Sequence, residues 1–304
     1  MAVAVPLSGA LADGPSVPVK APPPTPPPLW TWEFGADGVY AAAKQGPDTL
    51  LTRSVGTLDP ITTSNDFNFD REFGGDVRLR LRNQSATFEA RYFGGFGFNG
   101  GANADYPIDW DVMSNPFVIV MGSDGPLVSS YKSRLHSAEA NLRWQAAPNV
   151  VYFAGARWIQ LRERMSLKVD TASLQFDTSN RAIGPQIGVD WRVIAPAAAS
   201  GFFVDADARL GWLFNDSSAS MRVLTDTANG SSDKGIVAAE AGLTLGYQVS
   251  PNAEWRLGYR ALWLDSVALA PQQLPGTNFT TGTVNIARDD YLVHGVTFGF
   301  VVRH

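Results

Sequence analysis

The 304-residue sequence predicts an all-β fold, a transmembrane antiparallel up-and-down β-barrel of about ten strands. Apolar and polar residues alternate with a period of two in one segment after another, and no segment shows a convincing helical period. Short turns and long loops also alternate along the chain, which is typical of a barrel whose turns and loops lie at opposite ends. The polar positions favour Arg, Asp, Glu and Gly, and Lys is rare among the 24 basic residues.

The composition excludes several other classes of protein. Hydrophobic residues make up 45% and charged residues 17% of the chain, against roughly 25% charged residues in ordinary soluble domains. The formal net charge of −5 argues against a nucleic-acid-binding protein. The absence of Cys excludes a disulfide scaffold, a thiolate metal site and a Cys nucleophile. No apolar stretch is long enough for a transmembrane helix.

The first 29 residues are predicted to precede the barrel. Residues 1–12 are similar to the end of a secretory signal peptide, because Ala10 and Ala12 match the small residues before a cleavage site. The alternative is a disordered, Ala-rich N-terminus of a cytosolic protein. The basic region of a signal peptide is missing, since the first Lys is Lys20, and the true start of the reading frame stays open. Residues 13–29 are predicted to form a Pro-rich periplasmic linker before the barrel at 30–304.

The strands are predicted from the period-two segments. An even number of strands that begins and ends beside short turns places both termini in the periplasm of an outer-membrane barrel. The predicted strands are 30–42, 70–82, 86–94, 132–145, 150–164, 180–194, 201–214, 235–249, 253–267 and 289–302.

The longest connection, residues 95–131, leaves three alternatives open. Its apolar segment 116–121 could form a hairpin above the membrane or fold into the lumen. It could also supply two further strands and make a barrel of twelve.

The two faces of each predicted strand differ in an unusual way. In 235–249, for example, Leu243 and Leu245 share one face and Glu240 lies on the other. A soluble β-sandwich also alternates, but the predominance of Arg over Lys suits enclosed pairing with carboxylates. Lipid is therefore predicted on the apolar face and a narrow, charged lumen on the other. The predicted pore-lining residues are Glu33, Asp37, Asp76, Arg78, Arg80, Arg91, Glu139, Arg143, Arg157, Asp190, Arg192, Asp205, Asp207, Arg209, Glu240, Arg256 and Arg260.

Aromatic residues concentrate near the strand ends, as two membrane-interface girdles require. The predicted interface residues are Trp32, Trp144, Trp158, Trp191, Trp212, Tyr247, Trp255 and Trp263.

The sequence predicts no catalytic, metal or cofactor site. No His pair has ligand spacing. His294 beside Asp289 or Asp290 is the single near candidate for His–carboxylate chemistry, and it would lie on an external rim. The predicted partners are outer-membrane lipid and, during biogenesis, the barrel-assembly machinery. The oligomeric state is unknown, with a monomer as the default.

The last strand resembles the C-terminal assembly signal of outer-membrane barrels, because Phe298, Phe300 and Val302 share one face. His304 stands where such signals usually end in Phe or Trp. Four loose motifs resemble the Legionella-type pore-forming outer-membrane barrel family and its planctomycete barrel-porin relatives. They are 66–75 (DFNFDREFGG), 155–163 (GARWIQLRE), 257–265 (LGYRALWLD) and 291–295 (YLVHG).

The resemblance implies a Gram-negative outer-membrane location and a small-solute pore, and it supplies no catalytic residues. The alternative is a structural or surface-interaction barrel without transport. A third alternative is a hydrolase located at the barrel rim. Ten strands lie near the size at which side chains fill the interior, so the inward charges could also hold the barrel together and transport nothing.

Overall fold

The computed structural model describes residues 30–304, apart from 47, 55–59, 68, 84–85, 107–109, 114–117, 122–124, 170–171, 197–199 and 225. The predicted signal-peptide remnant (1–12) and Pro-rich linker (13–29) lie outside the described residues.

The chain forms a closed ten-stranded antiparallel barrel, as the sequence predicts. The strands are β1 (Thr31–Gln45), β2 (Glu72–Arg82), β3 (Thr87–Tyr106), β4 (Gly125–Ala147), β5 (Val150–Val169), β6 (Ala172–Ile194), β7 (Gly201–Val223), β8 (Asp226–Ser250), β9 (Ala253–Val267) and β10 (Asp289–Arg303).

Every strand pairs with its neighbours in sequence, and β1 pairs with β10 to close the ring. In this last pairing Phe34 lies opposite Val302 and Tyr40 opposite Val296. Within the apolar band each strand is therefore paired on both sides, as a lipid environment requires. All the connections at one end of the barrel are short, and this end is called the short-turn end below. The opposite end, called the long-loop end, carries the three long connections and the ends of the extended hairpins β5–β6 and β7–β8.

The strands β3 to β8 run further toward the long-loop end than the sequence predicts. β7 ends at Val223 instead of 214, and β8 begins at Asp226 instead of 235. In this extension the outward positions Asp216 and Ser218 are exposed and polar, while the inward Met221 is buried. The alternation therefore changes from apolar-outward to polar-outward, and the polar half of each strand resembles a loop in the sequence.

The segment between β3 and β4 forms a hairpin of its own. Trp110–Met113 pairs with Val118–Met121, and both belong to a small four-stranded sheet with Leu50–Ser54 and Pro60–Thr63. The barrel sheet does not include this hairpin. The twelve-stranded alternative is therefore wrong, and the longest connection adds a short sheet at the long-loop end.

A continuous apolar band surrounds the barrel. Large apolar side chains that a soluble protein would bury are exposed here, including Phe73 at 74%, Phe202 at 67% and Leu243 at 57%. All the predicted interface aromatics lie on this outer face. Trp32, Trp144, Trp191, Tyr247 and Trp255 lie toward the short-turn end, and Trp158, Trp212 and Trp263 toward the long-loop end.

No helix in the described part of the chain is long and apolar enough to cross a membrane.

Candidate functional site

The barrel interior is the candidate site, and it is built in layers. All the predicted pore-lining residues point inward, where they are buried or half-buried. They occupy the half of the lumen next to the short-turn end. Their role in lining a conducting path stays a prediction, because most of them contact one another.

Glu240 on β8 is the centre of this charged layer. Its carboxylate contacts Arg91 on β3 at 2.8 Å, Arg157 on β5 at 2.7 Å and Arg209 on β7 at 3.2 Å. Arg260 on β9 also pairs with it. Arg209 and Arg260 lie on the two strands next to β8, whereas Arg91 and Arg157 lie across the ring, so their ion pairs with Glu240 cross the lumen.

Arg91 shows why guanidinium groups are used here. Its Nε and Nη2 each donate a 2.8 Å hydrogen bond to the Asp76 carboxylate, and its Nη1 donates one of 2.8 Å to Glu139. A Lys ammonium could not make this planar, two-pronged contact while reaching a third strand.

A second set of pairs crosses the barrel nearer to the short-turn end. Arg80 on β2 contacts Glu33 at 2.6 Å, Glu89 at 2.6 Å and Asp190 on β6 at 3.3 Å. Asp190 also pairs with Arg143. The ion pairs of the charged layer therefore link the strands of the barrel wall at two heights.

Below these pairs a cavity of about 940 Å³ opens at the short-turn end. Arg192 and Asp205 pair at 2.8 Å on its wall, and Arg303 and Glu33 pair at 2.7 Å. Arg256 also lines it, and the Nε of this buried residue has no hydrogen-bond partner among the described residues. This cavity is called the vestibule.

Above the charged layer the lumen is filled by apolar side chains from β1 and from each strand from β3 to β10. None of them is more than 2% exposed, so water does not reach this layer. We call it the apolar layer. It consists of Val39, Ala41, Phe93, Phe96, Phe98, Leu135, Ile159, Leu161, Ala182, Leu213, Ile236, Ala238, Leu262, Leu264, Val267, Leu269, Tyr291 and Val293.

The long connection between β9 and β10 closes the mouth of the barrel. Ser266 adopts a left-handed conformation with φ of 57°, which turns the chain inward at the end of β9. A short 3-10 helix, Pro271–Gly276, follows. Leu269 packs into the apolar layer, and Leu274 packs into a second buried apolar cluster with Tyr131 and Met165. Residues 268–287 are called the plug.

Two polar residues on the barrel wall hold the plug. The Asn180 amide donates to the Ala268 carbonyl at 2.8 Å and accepts from the Ala268 N–H at 2.9 Å. Glu163 accepts a 2.9 Å hydrogen bond from the N–H of Ala270. Sequence reasoning missed both anchors. Glu163 was identifiable, because an acidic residue between Leu161 and Met165 on an apolar inward face requires a partner.

Glu163 lies outside the membrane-spanning part of β5, between the exposed Arg162 and Arg164. Burial raises the pKa of its carboxyl from 4.5 to about 7, although hydrogen bonds from Tyr131, Ala270 and Ser133 lower it in part. The Tyr131 hydroxyl donates to it at 2.6 Å and the Ser133 hydroxyl at 3.0 Å. The plug is therefore attached to a group that titrates near neutral pH.

The two strand histidines lie on the outer face. The Nδ1 of His294 is 2.5 Å from the Tyr259 hydroxyl, and the Nδ1 of His136 is 2.6 Å from the Tyr92 hydroxyl. The rim candidate from the sequence, His294 with Asp289 or Asp290, therefore has a tyrosine as its contact. Among the described residues, no group of three or more His, Asp and Glu side chains could hold a metal ion.

Neither a family model nor a curated protein sequence matches the chain. Solved structures of outer-membrane barrels do. The outer membrane protease OmpT from Escherichia coli is 7% identical, covers 90% of this chain and 97% of its own, and has a TM-score of 0.51. The toluene transporter TodX from Pseudomonas putida is 10% identical, with coverage of 91% and 90% and a TM-score of 0.33. A FadL homologue from Pseudomonas aeruginosa is 9% identical, with the same coverage and a TM-score of 0.26.

The likeness to OmpT shows the fold, and at this identity it shows nothing about activity. Together with the apolar band, it shows that the chain has the fold of outer-membrane β-barrels.

The central ion-pair contacts can be tested with Glu240→Gln. Neutralising this carboxylate leaves four buried guanidinium groups short of a counter-charge, so we expect the free energy of unfolding to fall by about 3 kcal/mol. Urea-induced unfolding in lipid vesicles measures the change. The matched control is Asp177→Asn, which removes a pair with the exposed Arg164 and should cost less than about 1 kcal/mol. Equal losses in the two variants would contradict the role given to Glu240.

The Glu163 anchor predicts that the plug loosens as pH rises. The pKa of Glu163 in the folded state lies above its ordinary value, so between about pH 4.5 and 7 the folded state holds a proton that the opened state releases. The stability of the closed plug is therefore lost as pH rises through this window. We expect the Ala270 amide, corrected for its intrinsic rate, to exchange with deuterium about tenfold faster at pH 8 than at pH 6. In Glu163→Gln this dependence should vanish, and a wild-type plug insensitive to pH would disprove the assignment.

Proposed function

We propose that this chain is a closed outer-membrane barrel that acts through the part standing outside the membrane and conducts no solute while the plug is seated. The observation that carries this proposal is the apolar layer, which spans the lumen with side chains at most 2% exposed. A steady solute path would need a hydrated lumen at this level. Ten strands also lie close to the barrel size that side chains can fill.

The part of the barrel beyond the membrane consists of long strands with a packed interior. The strands β4 to β8 have 20 to 25 residues, whereas crossing a bilayer takes about 9–11. About half of each strand therefore extends past the apolar band. Its interior is held by buried residues such as Phe176 and Met221, and its outer face carries exposed polar residues such as Ser218 and Asn229. An extended polar wall of this kind suits contact with molecules outside the cell.

The small-solute pore remains the second candidate, and two observations favour it. The vestibule offers a charged entrance of about 940 Å³ at the short-turn end. The sequence motifs also resemble the Legionella-type pore-forming family. In this alternative, conduction would require the plug to leave the lumen and the apolar layer to open. No catalytic role is proposed, since His294 contacts Tyr259 and not a carboxylate.

We also propose that the short-turn end, and with it both ends of the barrel chain, faces the periplasm. Short periplasmic turns and long external loops are the usual arrangement in bacterial outer-membrane barrels. The tight turn at Pro148 and Asn149 and the extended polar strands at the opposite end fit this orientation.

Single-channel recording in planar bilayers separates the two functions. We expect the wild-type protein to be silent at neutral pH, because the apolar layer blocks hydrated solutes. A control variant in which residues 270–285 are replaced by a short Gly-Ser linker is inserted in parallel, after its folding is checked by heat-modifiable gel mobility. Steady unitary conductance of the wild type would contradict a closed barrel. Conductance that appears only without the plug would favour a plug-gated pore.

The orientation can be tested by cysteine labelling, since the sequence contains no Cys. Ser218→Cys places a thiol on the exposed wall at the long-loop end, and Ala146→Cys places one at the short-turn end. We expect a membrane-impermeant maleimide to label the first variant on intact cells and the second only after the outer membrane is permeabilised. The reverse pattern would show that the barrel is inserted the other way round.

A further inference from the structure

Four basic side chains form a cluster on the outer wall, just beyond the apolar band. Lys132 and Arg134 lie on β4, and Arg162 and Arg164 lie on β5. All four are exposed and have outward parity. They are called the basic patch.

The patch is built from like charges placed face to face. Lys132 is the register partner of Arg164, and Arg134 is the register partner of Arg162. Like charges directly opposite each other destabilise a sheet. The carboxylate that contacts the patch is Asp177, 2.5 Å from Arg164, so four cations meet one anion. The wall thus carries a local charge imbalance that a bound anion would relieve.

The patch lies close to the outer edge of the headgroup region of a bilayer. On β5, Trp158 is the aromatic residue at the long-loop edge of the band, and Arg162 follows four residues later. At roughly 3.3 Å per residue along a tilted strand, the patch begins about 10 Å above that edge. The headgroup region extends roughly 5–8 Å beyond the hydrocarbon core on each side, so the long side chains of Arg134 and Arg162 would reach back a few ångströms to contact lipid phosphates, as basic side chains at a membrane surface do.

The patch also lies in a concavity. A recess of about 570 Å³ is lined by all four basic residues, by small side chains such as Ser179 and Ser218, and by the carboxylates of Glu163 and Asp177, so basic groups outnumber acidic ones four to two. On the other side of the patch, Arg134 faces Gly97 of β3, where no side chain fills the outer surface. A recess of this volume accommodates a compact polar group.

The opposite side of the barrel carries the opposite charge at a comparable height. The positions just beyond the band hold Asp216 on β7, Asp233 on β8, Asp265 on β9 and Asp290 on β10. Arg181 on β6 faces Asp216 and marks the border between the two regions. An anionic headgroup would therefore be attracted to β4 and β5 and repelled by the face formed by β7 to β10.

We infer that the basic patch and its recess bind the phosphorylated headgroup of an outer-leaflet lipid. Guanidinium groups form charge-assisted, two-pronged hydrogen bonds with phosphate oxygens, and cations placed at the membrane surface bind anionic lipids. The acyl chains would continue down the apolar band below the patch. This site rests on the proposed orientation, in which the long-loop end faces the outer leaflet.

The test is lipid binding by the folded barrel in phosphatidylcholine nanodiscs. The probe is lipid A, the phosphorylated disaccharide lipid of Gram-negative outer leaflets, titrated against wild type and the double variant Arg134→Gln/Arg162→Gln. We expect at least tenfold weaker binding by the double variant. The control Arg222→Gln/Lys234→Gln removes two other exposed cations from the long-loop half, and it should bind like wild type.

Two further arms identify the ligand. Dephosphorylated lipid A should show no preference for wild type over the double variant, and inorganic phosphate should not displace the lipid. Equal binding by the two double variants, or full displacement by inorganic phosphate, would overturn the site. Without anionic lipid the Arg134→Gln/Arg162→Gln barrel should be at least as resistant to urea as wild type, because a repulsion has been removed; a less resistant variant would assign these arginines to folding. The nanodisc measurement depends on neither conduction nor cell-surface labelling, so it can fail independently of both.

Discussion

A charge enclosed in a membrane barrel cannot be left unpaired, because removing it from water costs several kcal/mol unless a counter-charge and hydrogen bonds replace the lost hydration. The short-turn half of this barrel meets that constraint by connecting its charges across the lumen. Arg91 reaches three carboxylates, and Glu240 receives guanidinium groups from four strands. Two of these contacts, Arg91–Glu240 and Arg157–Glu240, join strands that are not neighbours in the sheet. They fix the cross-section of the ring as well as its charge balance.

The other half of the lumen is filled by a different means. Apolar side chains close the barrel at the level of Phe96 and Leu262, and the plug seals the space above them. Tight apolar packing excludes water without the desolvation cost of ionic groups. The charged layer and the plug respond differently to a perturbation. The charged layer is costly to disturb at any one residue. The plug is held by the packing of Leu269 and Leu274 and by hydrogen bonds at Asn180 and Glu163, and it is the part that can respond to pH.

The sequence was sufficient for the ring of ten strands, the lipid-facing side of each and the inward direction of the charges, because parity repeats faithfully along a strand. The sequence was insufficient to predict the parts of the strands in which the outward positions change from apolar to polar residues. On β7 the outward residues turn from Leu210 and Trp212 to Asp216 and Ser218, so half of the strand resembles a loop. The plug was missed because segment 268–287 has no period, and its position depends on contacts with Asn180 and Glu163, about a hundred residues away in sequence. The partners within the charged layer also required the closed ring, since Arg91 and Glu240 are far apart in the chain.

The seam between β1 and β10 has a consequence for biogenesis. Trp32 and His304 exchange main-chain hydrogen bonds of 3.0 and 2.9 Å, and Glu33 pairs with Arg303 at 2.7 Å. These partners are about 270 residues apart. Joining them costs loop-closure entropy before the pairing of β1 with β10 contributes any stabilisation. The edge of β1 that pairs with β10 therefore stays unpaired until β10 has been synthesised.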